Sequence, residues 1–202
     1  MKRAFDIALS ATGLILSSPL WAILAIAIRL DDGGPIFFGQ LRYGLGGAPF
    51  TAYKFRSMVT RASMMPAIAA TVRDPRITRV GRVMRATALD ELPQLWNIFR
   101  GDMSFVGPRA LAVEEVEAGA GGDAVAQHAI PGFAERHRVR PGLTGLTQIY
   151  ADRDLPRVKK YRIDRLYVRR ASLWLDIRLV LLSFWITALG RWERRGRKVG
   201  GE

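Results

Sequence analysis

Two adjacent carboxylates, Asp90 and Glu91, stand between a series of arginines and a Gly-Pro-Arg turn. Arg73, Arg76, Arg79, Arg82 and Arg85 precede them, and Arg109 follows. A carboxylate pair can attack an electrophile, accept a proton or hold a divalent cation. Guanidinium groups supply forked donors that match phosphate oxygens. Together they suit a phosphate ligand handled with a divalent metal. The plainer alternative makes Asp90 a helix cap and Glu91 its solvated neighbour, because an acidic first turn is ordinary.

The elements that must position this pair can be read on either side of it. Leu92, Leu95, Trp96 and Phe99 recur at the spacing of one helix face. Pro93 is tolerated only in a first turn, so the helix is expected to begin close to Asp90 and to stop at Arg100-Gly101. Asp90 would then lie at the positive end of a short helix, near unpaired backbone donors. Upstream, Thr78 caps a second short helix with Val80, Val83 and Met84 on one face. Arg79, Arg82 and Arg85 share another face, which is either solvated or anion-binding; Arg85, nearest the pair, is the leading anion ligand.

The rest of the chain reads less sharply. Residues 36–38 and 50–55 are expected to be strands around a Gly-rich connection, 43–49. Its G-L-G-G could cradle a phosphate, although a hairpin loop is the ordinary reading. Lys54 and Arg56 face either substrate or solvent. Residues 58–72, with Met64-Met65, read as a loop or short helix, and 111–117 as a short acidic helix. A small-residue loop is expected at 119–123, and a strand or loop at 143–150. His128 has no carboxylate at partner spacing and reads as structural.

Residues 7–28 hold 22 positions without a charge. As a helix they would measure roughly 33 Å, enough to cross a hydrocarbon core of about 30 Å. A signal peptide is disfavoured by the length of the run and the lack of a cleavage site. Ser17-Ser18-Pro19 falls near the midpoint, where Pro19 leaves the Ile15 carbonyl without its usual donor and serine hydroxyls can replace it. Lys2, Arg3 and the basic chain after Arg29 favour the cytoplasm at both ends. A spanning helix and a re-entrant hairpin bent at Ser18 and Pro19 both remain open on these grounds.

The 202 residues suit one domain with a real core. A net charge of +13 calls for an anionic partner: nucleic acid, an anionic membrane surface or a phosphorylated substrate. Hydrophobic residues at 49% argue against a disordered basic tail. Without cysteine there is neither a disulfide framework nor a thiolate nucleophile, and two histidines are too few for a His-rich zinc site. Residues 136–198 carry 17 of the 31 Lys and Arg. Within them, a helix at about 172–192 with Trp174, Trp185 and Trp192 beside arginines describes an element in the headgroup layer. A buried core helix is the alternative, and the basic tail 191–198 suits anionic lipid either way.

The stretch R-I-T-R-V-G-R-V-M-R-A-T-A-L-D-E-L-P-Q-L-W-N, followed by G-D-M-S-F-V-G-P-R, resembles the signature of the bacterial sugar transferases, monotopic phosphoglycosyl transferases that charge polyprenol phosphate with a phosphosugar. The likeness includes G-P-I-F-F-G-Q-L-R-Y-G at 34–44, Y-K-F-R-S-M at 53–58 and V-R-P-G-L-T-G-L at 139–146, in the family's order. It implies an α/β (α+β, mostly helical) fold. A re-entrant membrane helix at 1–30, broken at Ser18-Pro19, would precede a single catalytic domain at 31–202 with interfacial helices. It further implies transfer of sugar 1-phosphate from a UDP-sugar to undecaprenyl phosphate with release of UMP, at the cytoplasmic face of the bacterial inner membrane. Asp90 would be the nucleophile, forming an aspartyl-phosphosugar, and would touch Mg2+. Glu91 would position or deprotonate the lipid phosphate, and Lys54, Arg85, Arg109 and Arg140 would hold phosphates. Homo-oligomers or contacts with downstream glycosyltransferases are compatible with it; nucleic acid is not an expected partner. The chain corresponds to family members without the extra N-terminal membrane domain. Ala88, Ala110 and I-Y-A-D at 149–152 depart from the usual pattern, so sugar specificity cannot be carried over.

Two rivals compete. A nucleic-acid-binding protein explains the charge but not residues 7–28. A non-catalytic membrane-surface scaffold explains the basic C-terminal helix but not the carboxylate pair.

Overall fold

The computed structural model describes residues 1–62, 74–118, 124–152 and 155–188. Arg73, Met64-Met65, the loop 119–123, Trp192 and the basic tail lie outside the described residues. The described chain is a mixed helix-and-strand fold, 56% helical, forming a single small domain.

Helix α1 spans Lys2–Asp32, with Pro19 inside it. The Ser18 hydroxyl donates to the Ile15 carbonyl at 2.8 Å, replacing the N–H that proline lacks. Trp21 Nε1 donates to Ser17 Oγ at 3.0 Å. With that repair, Ser18 and Pro19 stay inside one helix rather than in a turn between two. α1 is long and apolar enough to cross a membrane, yet both of its ends are bonded to the rest of the molecule. Near the start, Arg3 donates to the Ile98 and Phe99 carbonyls, both at 2.6 Å, and Asp6 accepts from Ser104 Oγ and Phe105 N. Near the end, Leu24 and Ile28 pack with Phe55 and Met84, Asp31 accepts from Val80 N at 2.9 Å, and Asp32 pairs with Arg56. The opposite stripe, Ile15, Leu16, Ile23, Ile26 and Leu30, is 61–82% exposed.

Strands β1 (Phe37–Tyr43) and β2 (Pro49–Phe55) form an antiparallel hairpin, in register from Phe37↔Phe55 to Tyr43↔Pro49. In their connection the amides of Gly44, Gly46 and Gly47 donate to carbonyls of Ala48, His137 and Gly44. It is therefore a hairpin loop, with its donors already engaged. Helix α2 (Arg79–Ala86) starts on Thr78, whose hydroxyl accepts from Gly81 N at 2.9 Å. Met84 is buried and Val80 partly so, but Val83 points outward.

Helix α3 covers only Gln94–Arg100, and Gly101, with φ of 100°, ends it in the left-handed region. Its apolar residues divide between two sides. Leu95 and Ile98 enter the core, while Trp96 and Phe99 stack on each other at 5.8 Å on the exposed side. β3 (Ser104–Val106) pairs in parallel with β6 (Gly142–Thr144), and β4 (Val116–Ala118) pairs with β5 (Ala124–Ala126). The acidic helix expected at 111–117 is absent: Ala112 bridges to Arg42 and the chain runs into β4. β-branched Val113 and Val116 suit that extended path. Short helices α4 (Phe133–Arg136) and α5 (Leu146–Tyr150) flank β6. Helix α6 (Arg157–Arg170) then leads into α7 (Leu173–Ala188).

The main core joins Leu95, Ile98, Phe105, Val106, Ile149 and Tyr167 to Leu179, Val180 and Ile186 of α7, with Phe5, Leu9 and Leu14 of α1 against it. One side of α7 is thus core; Trp174, Leu181 and Trp185 on the other are 64–69% exposed. The core reading of this helix describes its inner face; the outer face is exposed and apolar.

Candidate active site

Asp90 and Glu91 occupy a 3-10 turn, Leu89–Glu91, entered through Ala88 at φ 57°. A non-glycine residue in that region is uncommon and marks a backbone held by its surroundings. The turn is separate from α3, whose N-cap is Pro93. Asp90 is therefore not at an α-helix N-terminus as its spacing had implied. Leu89 and Leu92, on either side of the pair, pack against the cluster formed by Leu24 and Ile28 of α1 with Phe55 and Met84. The carboxylate turn and the apolar helix thus share one cluster.

Asn97 fixes the turn against the hairpin. Its Nδ2 donates to Thr51 O at 2.8 Å, and its Oδ1 accepts from Tyr53 N at 2.9 Å. The next residue of β2, Lys54, reaches Glu91, with Nζ 2.5 Å from Oε1. Burial alone would raise the Glu91 pKa; Lys54, Arg109 and Arg42 outweigh it and hold that carboxyl at about 2. Asp90 shifts the other way. It is buried, with no ion pair of its own among the described residues, and burial helped by the Glu91 charge raises its pKa against the pull of Lys54 and Arg85. Neighbouring carboxylates with opposed shifts point to different tasks at one site.

A cleft of about 820 Å³ has Arg42, Arg85, Arg109, Arg157 and Lys160 in its walls, together with Glu114, Glu115, Asp152 and Asp164. Asp90, Glu91 and Lys54 do not line it; its Arg85 acts on Asp90, and its Arg42 and Arg109 act on Glu91, through their charge. Arg42 approaches from β1, where NH1 donates to Ala110 O at 3.0 Å; burial, then Arg109, lowers its pKa. Arg109 sits on the turn after β3. There, a Cβ on Gly107 would come 2.3 Å from Arg140 O and one on Gly142 would come 2.0 Å from Gly107 N, so only glycines allow the two chains to approach. Beneath Arg109 lies the buried Arg136. It donates to Asp164 Oδ2 at 2.9 Å and to the Arg109 carbonyl at 2.7 Å, over the Tyr161 ring. Burial and Arg136 hold His137 down at about 4. Neutral His137 can therefore donate from Nδ1 to Phe133 O and receive Arg136 at Nε2.

Of the expected site residues, Asp90, Glu91, Lys54, Arg85 and Arg109 come together. Arg140 does not join them; its Nε donates to Gly101 O at 2.7 Å, beyond the far end of α3 from the carboxylates. Arg76 is engaged with Asp74 at 2.7 Å, and Arg79 and Arg82 are exposed. Arg42, Asn97, Arg136 and Asp164 were missed, because no local spacing links them to the pair. Among the described residues no three acidic or histidine side chains converge into a preformed metal cage. Magnesium needs none where one or two carboxylates and substrate phosphates complete its shell, and Asp90 is the carboxylate that could contribute to one.

The model of the bacterial sugar transferase family matches residues 1–190. A UDP-glucose:undecaprenyl-phosphate glucose-1-phosphate transferase of Klebsiella pneumoniae is 41% identical over 90% of this chain, and an undecaprenyl-phosphate glucose phosphotransferase of Komagataeibacter xylinus is 43% identical over 90%. The match spans only 39% and 35% of those two proteins. The exopolysaccharide production protein PSS of Rhizobium leguminosarum is 40% identical over 89% of this chain and 91% of its own length. With the signature stretch running through α2, the carboxylate turn, α3 and β3, and the match running from the first residue through α7, this chain belongs to the bacterial sugar transferase family.

Proposed function

We propose that the protein is a phosphoglycosyl transferase that moves a sugar 1-phosphate from a UDP-sugar to undecaprenyl phosphate, releasing UMP, at the cytoplasmic face of the inner membrane. It would serve an early membrane step of exopolysaccharide or related glycan assembly. The observation that carries this reading is the Asp90–Glu91 turn, which shares one apolar cluster with α1 and lies under the charges of Lys54, Arg85, Arg109 and Arg42. It puts a nucleophile where a diphosphate from water and a phosphate on a lipid can meet.

The Asp90 carboxylate attacks the sugar-bearing phosphorus of the UDP-sugar; a P–O bond forms, the bond to the UMP oxygen breaks, and UMP leaves with the electron pair. An oxygen of the lipid phosphate then attacks the same phosphorus and expels the Asp90 carboxylate, giving the lipid diphosphate sugar. Raised basicity makes Asp90 the better nucleophile, while Lys54, Arg85 and Arg109 balance the charge that accumulates. A group held at about 2 is a poor general base near neutral pH. A phosphate monoester with a second pKa of about 6 needs little help from one. Glu91 therefore orients Lys54 rather than removing a proton. Asp90 would hold a magnesium ion, which would supply charge neutralisation to the donor phosphates.

Support for monotopic seating comes from α1: its two ends bond to the same body, and its exposed side is mostly apolar, interrupted by Thr12, Ser18 and Arg29. Both ends then lie on the cytoplasmic side, with the Ser18-Pro19 region deepest in the bilayer. The assay is UMP release from a panel of UDP-sugars with magnesium. Turnover should require undecaprenyl phosphate and one sugar should dominate; no release from any member would refute the assignment.

A further inference from the structure

Helices α6 and α7 contain only two acidic residues, Asp164 and Asp176, and both are buried. Asp164 is bonded to Arg136 and Thr147, and Asp176 to Lys2 and Tyr167. Outward, only cations remain. Lys159, Arg162, Arg169 and Arg170 are exposed along one side of α6, with Leu166 between them. None of the four has an acidic partner within 4.0 Å among the described residues. Across the link Ala171–Ser172 the stripe passes into Trp174, Arg178, Leu181 and Trp185, again at helical spacing and exposed. The inward sides of both helices meet where Tyr167 donates to Asp176 at 2.7 Å, so their outward sides leave the same body together.

A merely solvated face would not carry two exposed tryptophans and two leucines in line with its charges. A single-strand nucleic-acid site would use a groove with stacking platforms, whereas this stripe runs along the outer surface of two helices. Cations beside indoles match the depth at which headgroups meet acyl chains. We propose that the outer stripe of α6, continued by α7, is a docking rail for anionic phospholipid headgroups, making the protein select negatively charged bilayers over zwitterionic ones. The inner side of α6 supplies Arg157 and Lys160 to the cleft, so the rail also seats that wall against the membrane. This inference is independent of the chemistry assigned to Asp90.

The test uses the full chain, transferred from neutral detergent to preformed vesicles of phosphatidylcholine alone or with 30 mol% phosphatidylglycerol (roughly the charge density of an anionic leaflet), followed by flotation. The wild type should partition at least about tenfold more strongly into the charged vesicles, since each basic residue near such a surface adds several-fold. About 0.5 M NaCl should erase that preference while leaving binding to neutral vesicles, because screening removes the charge contribution alone. The variant K159Q/R162Q/R169Q/R170Q should keep wild-type thermal stability and neutral-vesicle binding but lose the preference. A wild type indifferent to phosphatidylglycerol, or a variant that retains the preference, overturns the proposal. So does a random 30-mer RNA that binds the wild type at physiological salt more tightly than charged vesicles do and is released by the variant.

Discussion

At the scale of single residues, Asp90 and Glu91 differ through their neighbours rather than their chemistry. Glu91 has Lys54 within hydrogen-bond reach; Asp90 has burial. Asp90→Asn should lower turnover by at least about 1,000-fold, as loss of a covalent nucleophile does. It should also stabilise the fold at pH 7.5. The folded pKa of Asp90 lies above its unfolded value, so the native state bears the cost of an ionised Asp90 at neutral pH. That cost fades as pH falls to the unfolded value of 3.8. Melting temperatures of wild type and variant should therefore converge toward acid; an Asn protein less stable at pH 7.5 would contradict the burial argument. Glu91 has the opposite sign: its stabilisation is present above the unfolded value of 4.5 and is lost as pH falls toward about 2. Glu91→Gln should thus slow the enzyme without removing any limb of the pH–rate profile above pH 5.

At the scale of elements, α1 is tied to the folded body at both of its ends. Lys2 and Arg3, which read as topology signals, are bonded to Asp176 and to the C-terminal carbonyls of α3. Single cysteines replacing Ala4 and Pro35 can be probed without background, because the chain has none. In intact cells both should resist an impermeant thiol reagent, and both should react once the inner membrane is opened. Outside labelling of Ala4→Cys would mean that α1 spans. Several elements were legible from local rules: the Thr78 cap, the Gly101 stop, the serine repair at Pro19 and the β1–β2 hairpin each depend on residues within a few positions. Residues 111–117 misled because acidic composition suggested a helix, whereas the bridge from Ala112 to Arg42 decides the backbone. Reading Asp90 as a helix N-terminus failed for a similar reason: the turn is a 3-10 unit set by Ala88 and by Leu89 and Leu92 packing against the cluster it shares with α1.

At the scale of the whole molecule, the site is assembled by contacts no local pattern encodes. Lys54 meets Glu91 across 37 residues, Arg136 reaches Asp164 across 28 and the Arg109 carbonyl across 27, and β3 pairs with β6. The carboxylate pair and three of its cations, Lys54, Arg85 and Arg109, could be named from the sequence; their second layer could not. Arg140 was misplaced because its motif adjoins the Gly107 turn while its side chain turns to Gly101. The buried Arg136–Asp164 pair is expected to hold the cleft in shape. Arg136→Ala should cost about 3–5 kcal/mol by leaving Asp164 uncompensated. Arg136→Met with Asp164→Leu should recover most of that stability but not the KM for UDP-sugar, measured by denaturant melts and initial rates. Full recovery of KM by the double variant would make the pair purely structural.

The most direct test of covalent transfer through Asp90 is a single-turnover experiment without lipid acceptor. With the preferred UDP-sugar and magnesium, the protein should release at most one equivalent of UMP and gain the mass of a phosphosugar on the peptide containing Asp90. Adding undecaprenyl phosphate should discharge it. If the same preparation turns over with lipid, yet without it neither releases UMP nor gains mass, transfer is direct and Asp90 is not the nucleophile.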